Sequence, residues 1–484
     1  YKTYCPTSFK VELDSILSFD LQFISNDTFV NIFMTLLNKH APIKFKYIRA
    51  NNNLFMTKEL RKAIMQRSKL RNKLNKFRTP EANSAYKKQR NICTSLLRKT
   101  KRNYFENLDP SAISDNKKFW KTIKPLFSDK VVTTSKITLC ENDEVHDNDA
   151  QVAEDFGSFF SKIVTELKIP DLFKLPVTYQ ENDPIKKAIR KYKNHPSIQL
   201  IKRKIRNIGK FSFSPVDEGA VWDEITLLDT SKASPIHSIP PNIIKENLDI
   251  FGKKINIDFN ASVVSGVFPN NLKYADVSPI FKQGDRSDKS NYRPISILPA
   301  MSKVFEKLYS HQISKYMEPY LSIYQCGFRK NMGAQNGLLY LLEKWRKCLD
   351  KKGSTGILLT DLSKAFDCLR HDLFLAKLNA YGFDYNSIKL INSYLTGCFQ
   401  RVRINANYSS WFEILFGVPQ GSIMGPLCFN IDNSDLFLEE IESDMSNYAD
   451  DNTPFSCQDD IESVIETLNT DCKVILEWFC NNGF

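Results

Sequence analysis

The sequence predicts a mixed α/β chain, α+β in arrangement, preceded by a basic, mainly helical N-terminal region. Three observations carry that prediction. From Val216 onward, helical-period runs alternate with short apolar runs of strand length. Between Lys58 and Arg102, apolar residues recur at helical spacing within a dense run of cations. Composition, with 42% hydrophobic and 25% charged residues among 484, is that of globular domains and excludes wholesale disorder, collagen-like repeats and a membrane bundle. At roughly 150 residues per domain such a length suits about three domains. They fall at 1–130 (basic and helical), 131–215 (mixed helical extension and linker) and 216–484. Apolar stretches such as Ile357-Leu358-Leu359 are far short of the ~20 residues of a membrane span, so no membrane partner is expected.

Eleven cysteines without a C-x-x-C pair read as reduced, intracellular thiols, and six dispersed histidines suggest neither a zinc site nor a Cys/His nucleophile. The formal charge of +12 suggests a polyanionic partner. Its distribution says more. Sixteen cations between Lys58 and Arg102 face only Glu59 and Glu81. Leu60, Ile64, Leu70, Leu74 and Phe77, then Ile92, Leu96 and Leu97, predict two helices broken near Thr79-Pro80. The segment is either a solvated face or a phosphate-binding surface carried by Arg67, Lys69, Arg71, Lys73, Lys87, Lys88, Arg90, Arg98, Lys99, Lys101 and Arg102. Residues 401–484 are the opposite, with fifteen carboxylates against Arg401, Arg403 and Lys473.

An amphipathic helix is expected from Asp149 to Leu167, and a polar, Pro-containing linker around Leu175 to Ile198. Three later segments carry chemistry. Gly356 to Leu359 reads as a strand that ends at Asp361, with a helix following through Phe366, Leu369, Leu373, Phe374 and Leu378. An Asp there is either a helix cap or a site carboxylate. Asn447-Tyr448-Ala449-Asp450-Asp451-Asn452 places paired carboxylates in turn-prone residues, either a solvated loop or a hairpin tip. If Asp361 and Asp450 lie side by side, their repulsion calls for cations, and oxygen ligands without His or Cys select magnesium or manganese. Gly417-Val418-Pro419-Gln420-Gly421-Ser422 breaks helix and strand alike, and its small side chains let a ligand approach the backbone. It could equally be a plain connector. A helix is expected to start at Pro426.

In this order the segments resemble the reverse transcriptases of non-LTR (LINE-type, jockey-like) retrotransposons. The resemblance rests on five blocks: "VSPIFKQGDRSDKSNYRPISILPAMSKVFEKL" (277–308), "YQCGFRKNMGAQNGLLYLLEKW" (324–345), "LLTDLSKAFDCLRHDLFLAKL" (358–378), "GVPQGSIMGPLCFN" (417–430) and "NYADDNT" (447–453). It implies right-hand polymerase fingers and palm with an antiparallel palm sheet, core about 262–484. The resemblance also makes Asp361, Asp450 and Asp451 a catalytic triad holding two Mg2+ ions, with Mn2+ an alternative. Lys282 and Arg293 become cations for the incoming triphosphate, Lys364 and Ala365 its backbone seat, and Phe366 the residue shadowing the sugar 2′ position. Phe366 also suits a core position, and Lys282 and Arg293 also suit a plain surface. Gln420 and Gly421 resemble the loop that meets template and nucleotide. Implied partners are an RNA template, a DNA primer and deoxynucleoside triphosphates. Copying would occur in the nucleus, with a cytoplasmic ribonucleoprotein stage.

Tyr1 and the abrupt end at Phe484 read as a fragment, expected to lack the upstream endonuclease and the thumb. Asp432 and Asn433 stand where the family has apolar residues, and unpartnered burial there would cost ~1–3 kcal/mol, as in a decayed copy. Two other readings remain: an inactive RNA-binding remnant of such an element, and a group II intron maturase, which shares the Tyr-Ala-Asp-Asp turn.

Overall fold

The computed structural model describes residues 5–16, 21–42, 55–107, 119–120, 136–141, 144–167, 173–174, 181–362 and 364–484, with Asp361 described by its backbone alone. Part of the expected linker, 175–180, lies outside the described residues. The chain divides into two compact units, residues 43–136 and residues 1–42 with 137–484. Among the described residues no helix is long and apolar enough to cross a membrane.

Helices α1 (Pro6–Ile16) and α2 (Asn26–His40) open the larger unit, which corrects the expected 1–130 boundary. Phe9, Phe29 and Phe33 are fully buried, and Phe33 meets the ring of Phe251 at 4.8 Å. The apolar faces of these helices are therefore spent on the main core, and only 43–136 stands apart.

The smaller unit contains α3 (Lys58–Phe77) and α4 (Pro80–Glu106). Arg78, in the left-handed region at φ 47°, closes α3; the Thr79 hydroxyl accepts from Ala82 N, and Pro80 begins α4. The predicted break near Thr79-Pro80 thus makes a helical hairpin. Only Leu60, Ala82 and Cys93 of its two helices are buried. Of the eleven cations singled out there, Arg67 and Lys101 are half-buried and the rest are exposed.

In the larger unit β1 (Leu139–Glu141) and β2 (Glu144–His146) pair as a small ribbon before α5 (Asp149–Glu166). Val152, Phe156 and Phe160 of α5 pack on Val277, Tyr292 and Val402. The polar linker expected around 175–198 contains α6 (Pro184–Lys191), and α7 (Pro196–Lys204) starts within it. Their prolines are first-turn residues behind the caps Asp183 and His195, and Ile185, Ala188, Ile198 and Ile201 are buried. Next come α8 (Glu218–Thr226), α9 (Pro241–Glu246) and α10 (Leu248–Ser265).

The first main sheet holds β3 (Tyr274–Phe281) and β4 (Tyr292–Ile297), followed by α11 (Ala300–Met317) and α12 (Ala334–Asp350). Its order is β4-β3-β7-β8, with β7 (Cys398–Ile404) parallel to β3, β8 (Asn407–Tyr408) antiparallel to β7, and β9 (Phe412–Ile414) also on β7. The second sheet is antiparallel throughout. There β11 (Asp451–Gln458) lies between β10 (Asp444–Tyr448) and β5 (Ser354–Ile357), with β6 (Thr360–Asp361) further along the same edge; α17 (Ile461–Asn482) closes the chain. The single strand expected up to Asp361 is broken at Leu358-Leu359. Pro454 of β11 lacks an N–H there, and only Leu358 N to Pro454 O (2.9 Å) bridges the gap. The single helix expected after it is also broken, into α13 (Ala365–Cys368) and α14 (His371–Ala380). Between α14 and β7 runs α15 (Tyr385–Leu395).

Helix α16 (Met424–Asn433) starts two residues before Pro426, and Asp432 near its end is buried with a partner rather than without one. Lys377 of α14, fully buried, lies 2.9 Å from Asp435 Oδ1 and 3.4 Å from Asp432 Oδ1, and donates to the Asp432 carbonyl. Trp478 Nε1 donates to Asp435 Oδ2 at 2.7 Å. The buried acids thus share a cation that sequence spacing could not reveal. Asn433 Oδ1 finds no partner among the described residues. Burial pushes the Asp432 carboxyl up from 3.8 to about 6, against the pull of Lys377. Between those values the folded protein holds a proton that the unfolded chain has released, so this group's contribution to stability falls as pH rises through that window. Asp432→Asn should therefore stabilise by roughly 1–3 kcal/mol at pH 8, with the gain fading toward pH 4. Urea unfolding of both proteins across that range reads the difference, and a pH-independent gap would sink the assignment.

Candidate active site

The tip of the second sheet is a two-residue turn. Tyr448 pairs with Asp451, leaving Ala449 and Asp450 as the loop, with Ala449 in the left-handed region at φ 60°. A non-Gly residue there costs ~1–2 kcal/mol, and the surroundings hold it. Asn447 Nδ2 donates to Ala449 O (2.7 Å) and to Asn452 Oδ1 (2.9 Å). The Asn447 backbone is clamped between Tyr324 O (3.0 Å) and Cys326 N (2.9 Å). Gly327 lies so close to the turn that a Cβ would stand 2.4 Å from Ala449 N, and its carbonyl accepts from Asn430 Nδ2. Asp450 is half-buried and Asp451 exposed. Residue 361 stands opposite Asp451 rather than Asp450, so the side-by-side pair in register is Asp361 with Asp451.

Facing the turn is the β3–β4 hairpin. Its register pairs Ile280 with Arg293 and Phe281 with Tyr292, leaving Arg293 and Lys282 exposed. Lys364, left-handed at φ 60°, begins α13, and its carbonyl accepts from Asp367 N and Cys368 N. Phe366 stacks on Phe429 with ring centroids 4.5 Å apart. Phe366 is thus packed against a core aromatic while also lining a cavity.

The 417–422 loop is fixed at several points. Val418 N donates to Phe366 O, and His371 Nε2 lies 2.7 Å from Gly417 O. Ser296 N donates to Gln420 O at 2.8 Å, while Gly421, at φ 131°, would bring a Cβ within 2.5 Å of Ser296 O. The buried Glu306 of α11 accepts from Ile423 N and from Met424 N (3.1 Å), serving as the cap that starts α16 early. Burial raises the Glu306 carboxyl, and these N–H donors offset part of the rise. Gln420 Nε2 is 3.1 Å from both carboxylate oxygens of Asp367.

These pieces enclose a cavity of about 640 Å³. Lys282, Arg293, Lys364, Ala365, Phe366, Gln420, Gly421 and Asp450 all line it. No described lining residue is His or Cys, and the carboxylate donors at the turn suit Mg2+ or Mn2+. Among described side chains no three ligands are gathered, and Asp361 enters by backbone position alone. The eleven basic residues belong to the other unit.

A family description, reverse transcriptase (RNA-dependent DNA polymerase), matches residues 280–484. Those residues belong to the reverse transcriptase family. A second description, the C-terminal domain of the female sterile protein K10, matches 56–117, the basic helical segment. Among relatives of the reverse transcriptase domain, a probable RNA-directed DNA polymerase from transposon BS of Drosophila melanogaster is 24% identical over 82% of this chain and 43% of its own length. A probable RNA-directed DNA polymerase from transposon X-element of the same fly is 32% identical over 41% of the chain and 22% of itself. That from mobile element jockey of Drosophila funebris is 30% identical over 46% and 25%. The chain thus spans less than half the length of these relatives. The domain is of the LINE-type, non-LTR kind, as the motifs indicate.

Reading the sequence missed Asp367, Glu306, Asn447 and Gly327 of this reverse transcriptase domain. Asn447 and Asn452 flank the paired acids, so their turn-forming character was visible. Glu306 acts 117 residues from its partner, and no local pattern marks it. Gly327→Ala should push the turn off its seat and cost about 1–3 kcal/mol. A lower urea midpoint at unchanged slope is the expected reading; an unaltered midpoint would mean that the turn yields freely.

Proposed function

We propose that the chain is the polymerase part of a non-LTR retrotransposon protein, an RNA-directed DNA polymerase copying element RNA into cDNA from a DNA primer. The observation that carries this reading is the cavity lined by Asp450 together with all seven nucleotide-binding candidates. In it, the β3–β4 hairpin with α11 serves as fingers and the antiparallel β10-β11-β5 sheet with β6 as palm.

Asp361, Asp450 and Asp451 would hold two magnesium ions, which when bound lower the pKa of the primer 3′-hydroxyl and neutralise the triphosphate and pyrophosphate. Arg293 and Lys282 offer a guanidinium and an ammonium to phosphate oxygens. Phe366, braced by Phe429, fills the space under the sugar 2′ carbon and excludes ribonucleotides by clash. Gln420 and Gly421 meet template and nucleotide from a loop already fixed to β4.

Asp450→Asn should reduce primer extension on an RNA template at least ~100-fold, since removing an anionic ligand takes away several kcal/mol of transition-state stabilisation. Retention of more than a few per cent of the parent rate refutes the assignment.

A second reading, RNA binding without turnover, is favoured by the basic hairpin, which forms a compact unit of its own with most of its cations exposed. Replacing Arg67, Lys69, Arg71 and Lys73 by Gln should weaken RNA binding nearly uniformly across sequences. The slope of log affinity against log salt should drop by about one unit for each phosphate that is no longer neutralised. Isotherms at several salt concentrations measure it. An unchanged slope would leave the hairpin as a solvated face.

A further inference from the structure

We propose that Asp367 is a positioning residue that decides which end of the Gln420 amide faces the nucleotide cavity. An ionised carboxylate only accepts hydrogen bonds, so with both its oxygens 3.1 Å from Nε2 it turns the amide nitrogen inward and leaves Oε1 for the cavity. Gln420 thereby presents an acceptor. The loop backbone does not depend on this interaction. It is held by Ser296 N on Gln420 O, by the close packing of Gly421 on Ser296, and by Glu306 on Ile423 and Met424. Asp367 therefore governs a side-chain rotor without governing the loop. Its own place is set by its N–H on Lys364 O (2.8 Å), and the Lys364 charge favours the ionised form that burial opposes. Asparagine in its place has nearly the same size but can meet either end of the amide, so the directing effect disappears while the packing stays.

This inference rests on the reading that Gln420 meets the incoming nucleotide. The test is a double-mutant cycle on the full chain, with Asp367→Asn, Gln420→Ala and both together, reading kcat and KM for deoxynucleotide in primer extension. One misdirected hydrogen bond should raise KM about three- to thirtyfold with kcat little changed. In the Gln420→Ala background the Asp367 change should then have no further effect beyond about twofold. Equal effects in both backgrounds would overturn the proposal, since Asp367 would then act on the fold and not through Gln420. A readout independent of catalysis is the Gln420 side-chain amide resonance, assigned by its disappearance in Gln420→Ala. It should shift in Asp367→Asn, and an unmoved signal also overturns the proposal. Should the parent fail to extend any primer, it is the polymerase reading that fails, and the amide resonance alone decides the tie.

Discussion

The geometry of the site depends on the strained turn at Ala449-Asp450. A left-handed alanine survives because Asn447, buried and bonded on both sides of the turn, leaves the chain little alternative. The segment 324–327 adds itself beside the end of β10, and Gly327 admits the turn backbone where any side chain would collide. Asp450 is thereby directed into the cavity and Asp451 set across from Asp361. A looser turn would leave adjacent acids on opposite faces of a strand.

The opposite wall follows another logic. The 417–422 loop has little side-chain bulk to pack, so its position comes from backbone hydrogen bonds and the buried carboxylate of Glu306. Glu306 anchors the end where α16 begins, and Asp367 holds a side chain in its middle. Both carboxyls are raised by burial, and both are partly compensated by donors from the loop itself. Polar groups recur deeper in the core, where Lys377 lies between Asp432 and Asp435. Removing Lys377 would leave Asp432 and Asp435 as uncompensated buried acids, so the group specifies one arrangement more than it adds stability.

The two units spend their apolar residues differently. α1 and α2 place theirs in the main core, whereas α3 and α4 bury only Leu60, Ala82 and Cys93 and carry cations around the outside. A hairpin with so little burial draws its helicity from good caps and favourable propensity.

The sequence by itself determined what depends on local chemistry and order. The helix break at Arg78-Thr79-Pro80, the amphipathic helix from Asp149, the α/β character and the family are legible because caps, periodicity and motif order are local signals. Lys282, Arg293, Lys364, Ala365, Phe366, Gln420, Gly421 and Asp450 of the cavity lining were legible through the motif blocks that carry the resemblance. What tertiary structure decided is everything that needs a distant partner. Lys377 makes Asp432 tolerable from 55 residues away, Pro454 of one strand interrupts another at Leu358-Leu359, and Glu306 moves a helix start on another element. Helices α1 and α2 joined the core because Phe29 and Phe33 found Phe251 and Phe9 packed on Phe33, and prolines expected to mark a linker began helices instead. Periodicity shows that a face is apolar, but not which surface it meets, because that choice is made by packing between segments far apart in the chain.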